Sequence, residues 1–253
     1  MEGDDRKTTP QHWERVWQLN APRTLPSPLD VSARNVQRLL RRDVKPGMRY
    51  LEIGCAPGRL LAWVAIDRKA RVAGLDYSPV GITAAEELFR SLALDVDLRC
   101  EDVFGPTFAP ESFDVVTSFG LIEHFDDPAP VVHQHVMLTK PGGLSIVVIP
   151  NYGGIYRRLQ GYFDPENLAI HNLAIMDRSA LAALAPAGLV HDVRVYSAGR
   201  VAPGLVSFET RWPAFPAKLM SHVINLAGHL QPFDVTPLCP LLVLEMRKKG
   251  GLQ

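Results

Sequence analysis

Cysteine is scarce in this sequence. The three present, Cys55, Cys100 and Cys239, are odd in number, widely separated and form no Cys-x-x-Cys pair. That usage excludes a disulfide framework and a thiolate zinc site, and it leads us to expect a reducing, cytoplasmic setting. Net charge is absent too, because 27 basic residues face 27 acidic ones. No field draws such a chain to a phosphate backbone or an anionic lipid surface, so neither nucleic acid nor membrane is an expected partner. Long apolar runs are also missing. The run Ile146 to Ile149 is far too short to span a bilayer, and the polar start, Met1 to Pro10, carries no apolar leader core and reads as flexible.

What is present is enough apolar residue, 47% of 253, to build one sizeable core. A helical cap is expected over residues 1–45. In it Trp13, Val16 and Trp17 share one face of a short helix that Pro22, Pro26 and Pro28 break. Asp30 or Ser32 then caps a helix carrying Ala33, Val36, Leu39 and Leu40, and Pro46-Gly47 turns the chain. From there strands and helices alternate: strand Arg49 to Ile53, helix Gly58 to Asp67, strand Arg71 to Asp76, helix Pro79 to Leu92, strand Val96 to Cys100. Strand Phe113 to Ser118 follows, then a helix near Pro130 to Leu138, the turn Lys140 to Gly143 and strand Leu144 to Ile149.

The expected fold is therefore α/β and Rossmann-like, a seven-stranded and mostly parallel sheet with helices on both faces. It forms a single domain whose cofactor core spans 46–150. Insertions at 151–176 and 197–238, after strands five and six, are expected to wall a pocket or form a lid. In the second, Leu219, Val223, Leu226, Ala227 and Leu230 make one helical stripe. It is expected to pack on the core, with a homodimer contact as the second reading.

The most informative stretch runs from Tyr50 to Arg59, an apolar strand, a glycine turn and a helix start in immediate succession. Gly54 and Gly58 let a ligand approach the backbone, and the free N–H groups at a helix start favour an anion. Small residues at i, i+2 and i+4, Gly54, Ala56 and Gly58, differ from the i, i+2, i+5 spacing of the dinucleotide fingerprint. That difference argues against a nicotinamide-dependent oxidoreductase. Asp76 closes the second strand a little over twenty residues later, where a ribose diol needs an acceptor.

This stretch resembles motif I of the class I S-adenosylmethionine-dependent methyltransferases, Asp or Glu, x, Gly, x, Gly, x, Gly, with Ala56 at the middle glycine. The resemblance implies S-adenosylmethionine as cofactor and assigns its methionine moiety to Glu52, Gly54 and Gly58. Asp102, preferred to Glu101, resembles the carboxylate that meets the adenine amino group, with the Val103 N–H on a ring nitrogen. Cys55, Tyr77 and Phe119 complete the expected cofactor set. Phe113 to Phe125 and the turn Lys140-Pro141-Gly142-Gly143 resemble the small-molecule branch related to quinone-biosynthesis methyltransferases. The resemblance covers residues 49 to 150 well and the later strands by topology alone.

Methyl transfer from a sulfonium needs chiefly an acceptor lone pair held in line. A base is required when the acceptor is a hydroxyl or a protonated nitrogen, and His124, just past the fourth strand, is the first candidate, with His171 the second. Tyr152, Tyr156, Tyr162, Phe163 and Asp164 in the first insertion are candidate pocket walls. Glu123-His124 completes only half of a Glu-x-x-Glu-His arrangement, because Gly120 stands at the first Glu. His133 and His135 diverge on a helix, so no metal is expected. The expected function is O- or N-methylation of a small molecule in a biosynthetic pathway. The alternatives are an RNA or protein methyltransferase, disfavoured by neutral charge and by Ser118-Phe119-Gly120-Leu121 where Asn-Pro-Pro-Tyr would stand, and a non-catalytic cofactor-binding scaffold.

Overall fold

The computed structural model of the chain describes residues 6–20 and 23–250. The start of the expected flexible segment, residues 1–5, and Pro22 lie outside the described residues. The first described residues do not trail into solvent as expected for residues 6–10. Arg6 bridges to Phe125, the Lys7 amide donates to the His124 carbonyl at 2.8 Å, and Thr8 is buried.

Two helices, α1 (Pro10–Asn20) and α2 (Val31–Asp43), precede the sheet. Asp30 caps α2 by accepting from the Ser32 amide. Then come β1 (Arg49–Ile53), α3 (Arg59–Trp63, continued by a π-turn over Val64–Arg68), β2 (Arg71–Asp76), α4 (Pro79–Ser91), β3 (Asp97–Cys100) and β4 (Phe113–Phe119). They lead to α5 (Ala129–Leu138) and β5 (Thr139–Pro150). Beyond β5 lie α6 (Ile155–Phe163), α7 (Pro165–Ala169), α8 (Arg178–Ala183), β6 (Val190–Ala198), α9 (Ala214–Leu230) and β7 (Leu241–Lys248).

The seven strands lie in the order β3-β2-β1-β4-β5-β7-β6. The first five are parallel, and β7 enters antiparallel between β5 and β6. The sheet is thus seven-stranded and mostly parallel, as the alternating pattern implied. Lys140 to Gly143, expected as a turn, instead lies within β5, where the pairing with β4 shifts register after Phe113 and Lys140 meets Asp114 at 2.7 Å.

Strand residues alternate between two cores, as a pleated sheet covered on both faces requires. Leu51, Ile53, Val147 and Leu244 pack with Val132 and Val136 of α5 on one face; Tyr50, Ile146, Val148 and Val243 pack with Leu40 of α2, Leu61 of α3 and Phe89 of α4 on the other. Where β1 abuts β4 the strand order reverses, and a crevice opens beyond their carboxyl ends. The chain builds its site there.

Candidate functional site

Strand β1 delivers Glu52 and Ile53 to this edge, and the backbone then turns through Gly54 (φ 73°) and Gly58 (φ 82°) into α3. Gly58 proves to be a packing glycine. A Cβ there would lie 2.8 Å from the Ala85 Cβ of α4, so its absence lets α4 close on the loop rather than admitting a ligand. Gly54 faces the crevice, over Leu121.

Asp76 ends β2 with its carboxylate accepting from the Ala56 amide at 3.1 Å and the Ser78 amide at 2.9 Å, which locks the glycine turn to the next strand. Burial pushes its pKa up, and the two amides partly offset the rise. Glu52 lies beneath, buried, with Oε2 lacking a hydrogen-bond partner among the described residues. Burial and the nearby Asp76 hold its carboxyl well above the usual range. Two buried acids, one with an orphaned oxygen, form a site that a hydrogen-bond donor or positive charge would complete.

A cavity opens in this part of the crevice. Of the nine expected cofactor residues, Gly54, Asp76, Tyr77, Val103 and Phe119 line it, whereas Glu52, Cys55, Gly58 and Asp102 do not. Glu52 is buried under the lining; the Cys55 side chain packs where Gly74 would carry a Cβ. Glu101, the disfavoured alternative, lines the cavity, while Asp102 is held by Arg6 in an ion pair and takes the Phe104 amide. Sequence reasoning missed the roof: Arg6, Thr8, Trp13 and Trp17 close the cavity from the N-terminal side. The signal was there in two tryptophans one turn apart on α1, whose rings stack at 5.9 Å.

A second cavity adjoins the first and shares Trp13, Phe119, Gly120 and His124 with it. Its walls add His12, Tyr152 and His171, with Gly204 and Leu205 from the second insertion. His124 follows β4 in a short turn and is buried, its ring edge-on to Trp13 at 5.1 Å and 4.8 Å from the His171 ring. Its Nδ1 lies 3.1 Å from the Ile170 carbonyl. A carbonyl only accepts, so Nδ1 carries the proton and Nε2 keeps its lone pair. Burial, with His171 adding to it, pushes the His124 pKa down to about 4, so the imidazole is neutral at pH 7. His171 is fixed the same way, its Nδ1 2.7 Å from the Asn167 carbonyl.

Among the other candidate wall residues only Tyr152 reaches this cavity, with its ring 5.2 Å from that of His171. Tyr156 is buried and donates to the Leu238 carbonyl; Phe163 joins Phe208 and Trp212 in an aromatic core. Tyr162 is exposed, and Asp164 caps α7 through the Asn167 amide.

Spacing along the chain gave no metal-ligand set; the fold brings three possible ligands together from distant segments. One ligand atom from each of Glu123, His124 and His171 lies within 4.8 Å of the others, so these three residues are the ones that could hold a divalent cation. Burial pushes the Glu123 carboxyl up to about 8, and its Oε2 has no hydrogen-bond partner among the described residues. No helix among the described residues is long and apolar enough to cross a membrane.

Residues 51–147 match the family model described as a methyltransferase domain. A ubiquinone biosynthesis O-methyltransferase of Stutzerimonas stutzeri (strain A1501) is 35% identical over 100 residues, which are 38% of this chain and 42% of that protein. The alignment thus spans about two fifths of the relative's length. Among solved structures, the geranyl diphosphate C-methyltransferase of Streptomyces coelicolor A3(2) superposes with TM-score 0.61 at 14% identity, over 95% of this chain and 97% of that one. The [4+2]-cyclase SpnF superposes with TM-score 0.56 at 20% identity, over 99% and 86%. Likeness at that level shows a shared fold and no particular reaction. The motif with its two buried acids, the sheet order and the matched domain agree: residues 51–147 carry a methyltransferase domain, on a fold shared with S-adenosylmethionine-dependent methyltransferases.

Proposed function

We propose that the protein transfers the methyl group of S-adenosylmethionine to a hydroxyl or amine of a small-molecule acceptor. The observation that carries this reading is the junction of the two cavities: one built on the glycine turn and its acids, the other aromatic, meeting across Trp13, Phe119, Gly120 and His124. The S. coelicolor protein was solved with S-adenosyl-L-homocysteine, which supports the same cofactor here.

When bound, the cofactor supplies a sulfonium methyl that is already a strong electrophile. Asp76 would accept from the ribose hydroxyls, and the cofactor's positive charge would draw the buried Glu52 beneath it into its ionised form. His124 Nε2, a lone pair on the shared wall, accepts a proton from the acceptor hydroxyl or ammonium as its oxygen or nitrogen attacks. His171 and Tyr152 orient the acceptor in the second cavity. Trp13 and Trp17 exclude water from above.

Calorimetric titration with S-adenosylmethionine, S-adenosylhomocysteine and NAD, followed by a methyl-labelled screen of phenolic, carboxylate and amine acceptors, tests this reading. We expect both adenosyl compounds to bind, NAD not to, and label to enter a small acceptor. Failure of both adenosyl compounds to bind would remove the cofactor assignment, and label entering only RNA or protein would overturn the acceptor class.

A further inference from the structure

Helix α9 is docked the wrong way round for an ordinary amphipathic helix. Its inward face, apart from Ile224, which is partly buried against the core, is made of small or polar groups: Ala217 and Gly228 are buried, and a Cβ on Gly228 would lie 2.2 Å from the Val201 carbonyl oxygen. Asn225 ties this face to the chain before α2, accepting from the Val31 amide at 3.0 Å and donating to the Leu29 carbonyl at 2.7 Å. The large apolar side chains point the other way. Leu219, Val223, Leu226 and Leu230 are 53, 55, 59 and 75% exposed, with Phe215 at 79% one turn before them and Phe233 at 68% just past the helix end.

We propose that this outward face is the contact between two copies of the chain, packed helix to helix across a two-fold axis. Three observations favour a second copy over other occupants. Steps of four, three and four residues, from Leu219 to Val223, Leu226 and Leu230, are the a/d alternation that seats knobs of one helix in holes of another. At 100° per residue, Phe215 and these four fall within a stripe about 80° wide, narrow like a helix–helix seam rather than broad like a lipid-facing surface. Lys218 is the only Lys or Arg on the helix, so little attracts it to anionic headgroups.

The area is also right for a dimer. At the quoted exposures the stripe, with Phe233 and Met220, presents on the order of 800 Å² per copy, close to the share each partner contributes to a standard interface. The face is self-complementary under a two-fold axis crossing the helix between Val223 and Leu226, which sets Leu219 of one copy near Leu230 of the other in antiparallel pairing.

Sedimentation and light scattering of the full chain from about 1 to about 100 µM test the proposal. We expect twice the chain mass of 28.0 kDa at the upper end of that range. Leu226→Glu places an unpaired charge at the centre of the seam and is expected to weaken association at least about 100-fold. Leu226→Ser should weaken it less, and Lys218→Glu, off the seam, should leave it within about threefold. Position 226 is exposed, so far-UV circular dichroism spectra of the variants should superpose on the wild type. A wild-type chain at 28.0 kDa throughout, or a dimer that survives Leu226→Glu, overturns the proposal. So does a monomer that floats with phosphatidylcholine vesicles, which would assign the stripe to a lipid surface.

Discussion

The two halves of the crevice are built on opposite plans. On the β1–β3 side, the polar groups sit within a few residues of a strand end and are tied to each other by backbone: Asp76 holds the Ala56 and Ser78 amides, and the Glu101 carboxylate takes the Thr107 amide. On the β4–β5 side, the wall is assembled from distant segments, with Trp13, His124, Tyr152, His171 and Gly204 meeting in one cavity. The first half arises locally, from strand ends that the parallel sheet sets side by side; the second depends on how insertions happen to dock. A cofactor shared by a whole family suits the first plan, and an acceptor that differs between members suits the second.

Damage on the two sides should therefore separate into chemistry and binding. The largest effect is expected on the acceptor side, where His124→Ala removes the neutral imidazole at the junction. We expect kcat to fall about 100-fold, with cofactor affinity changed less than about threefold. Single-turnover transfer beside calorimetry measures both quantities. Unchanged turnover would transfer the role of base to His171 or leave positioning alone. Next comes Asp76→Ala on the cofactor side, where the ribose hydroxyls and two amides lose their acceptor together. Affinity for S-adenosylhomocysteine should weaken about 10- to 100-fold. An unaltered dissociation constant would break the comparison, because the local half would then not be the half that binds.

Legibility followed the same division. The glycine turn, Asp76 at its strand end and the seven-strand topology were readable because each depends on residues near in sequence and on strand periodicity. Glu101 lines the cavity where Asp102 was expected, and Asp102 instead pairs with Arg6, far away in sequence and beyond the reach of local spacing. The stripe on α9 was visible as a pattern, but its expected burial was wrong. Periodicity tells which residues share a face; it does not tell that Gly228 and Ala217 let the opposite face approach the core more closely. His171 could not be joined to Glu123 and His124 from spacing alone, since 46 residues of strand, helix and insertion intervene.

Buried carboxyls and a buried imidazole should also answer pH in opposite senses, and the β4–β5 side holds one of each, since Glu123 is raised to about 8. Buried acids on the cofactor side have raised pKa values, whereas α5, beneath the β4–β5 side, carries His135, fully buried, with Nδ1 bound to the Val131 carbonyl and Nε2 lacking a partner among the described residues. Burial holds its pKa near 4, against 6.5 for the free side chain. A depressed pKa contributes stability that is complete above pH 6.5 and is lost as pH falls from there towards 4. At pH 5 the loss from this one group is about 2 kcal/mol. His135→Leu should therefore flatten the acid limb of a denaturant-monitored stability profile between pH 7 and 5. An equally steep limb in the variant would assign acid sensitivity to other groups.

The smallest effect is expected where the two halves share a roof. Arg6 pairs with Asp102, and its guanidinium lies 5.3 Å from the Tyr77 ring and 5.6 Å from that of Phe125, so one side chain clasps β2's exit to β4's exit. Asp102 is 43% exposed, which limits the ion pair to about 1 kcal/mol or less, and each cation–π contact adds on the order of 0.5 to 1 kcal/mol. Arg6→Ala should thus weaken the cofactor only about three- to tenfold, chiefly through faster dissociation, because a latch slows departure more than it guides arrival. Arg6→Lys keeps the charge but loses the planar stacking surface, so it should restore only part of the residence time. Stopped-flow dissociation of S-adenosylhomocysteine distinguishes these cases. If both variants release it at the wild-type rate, the N-terminal strap belongs to the acceptor side alone, and the division between a local cofactor half and an assembled acceptor half extends to the roof.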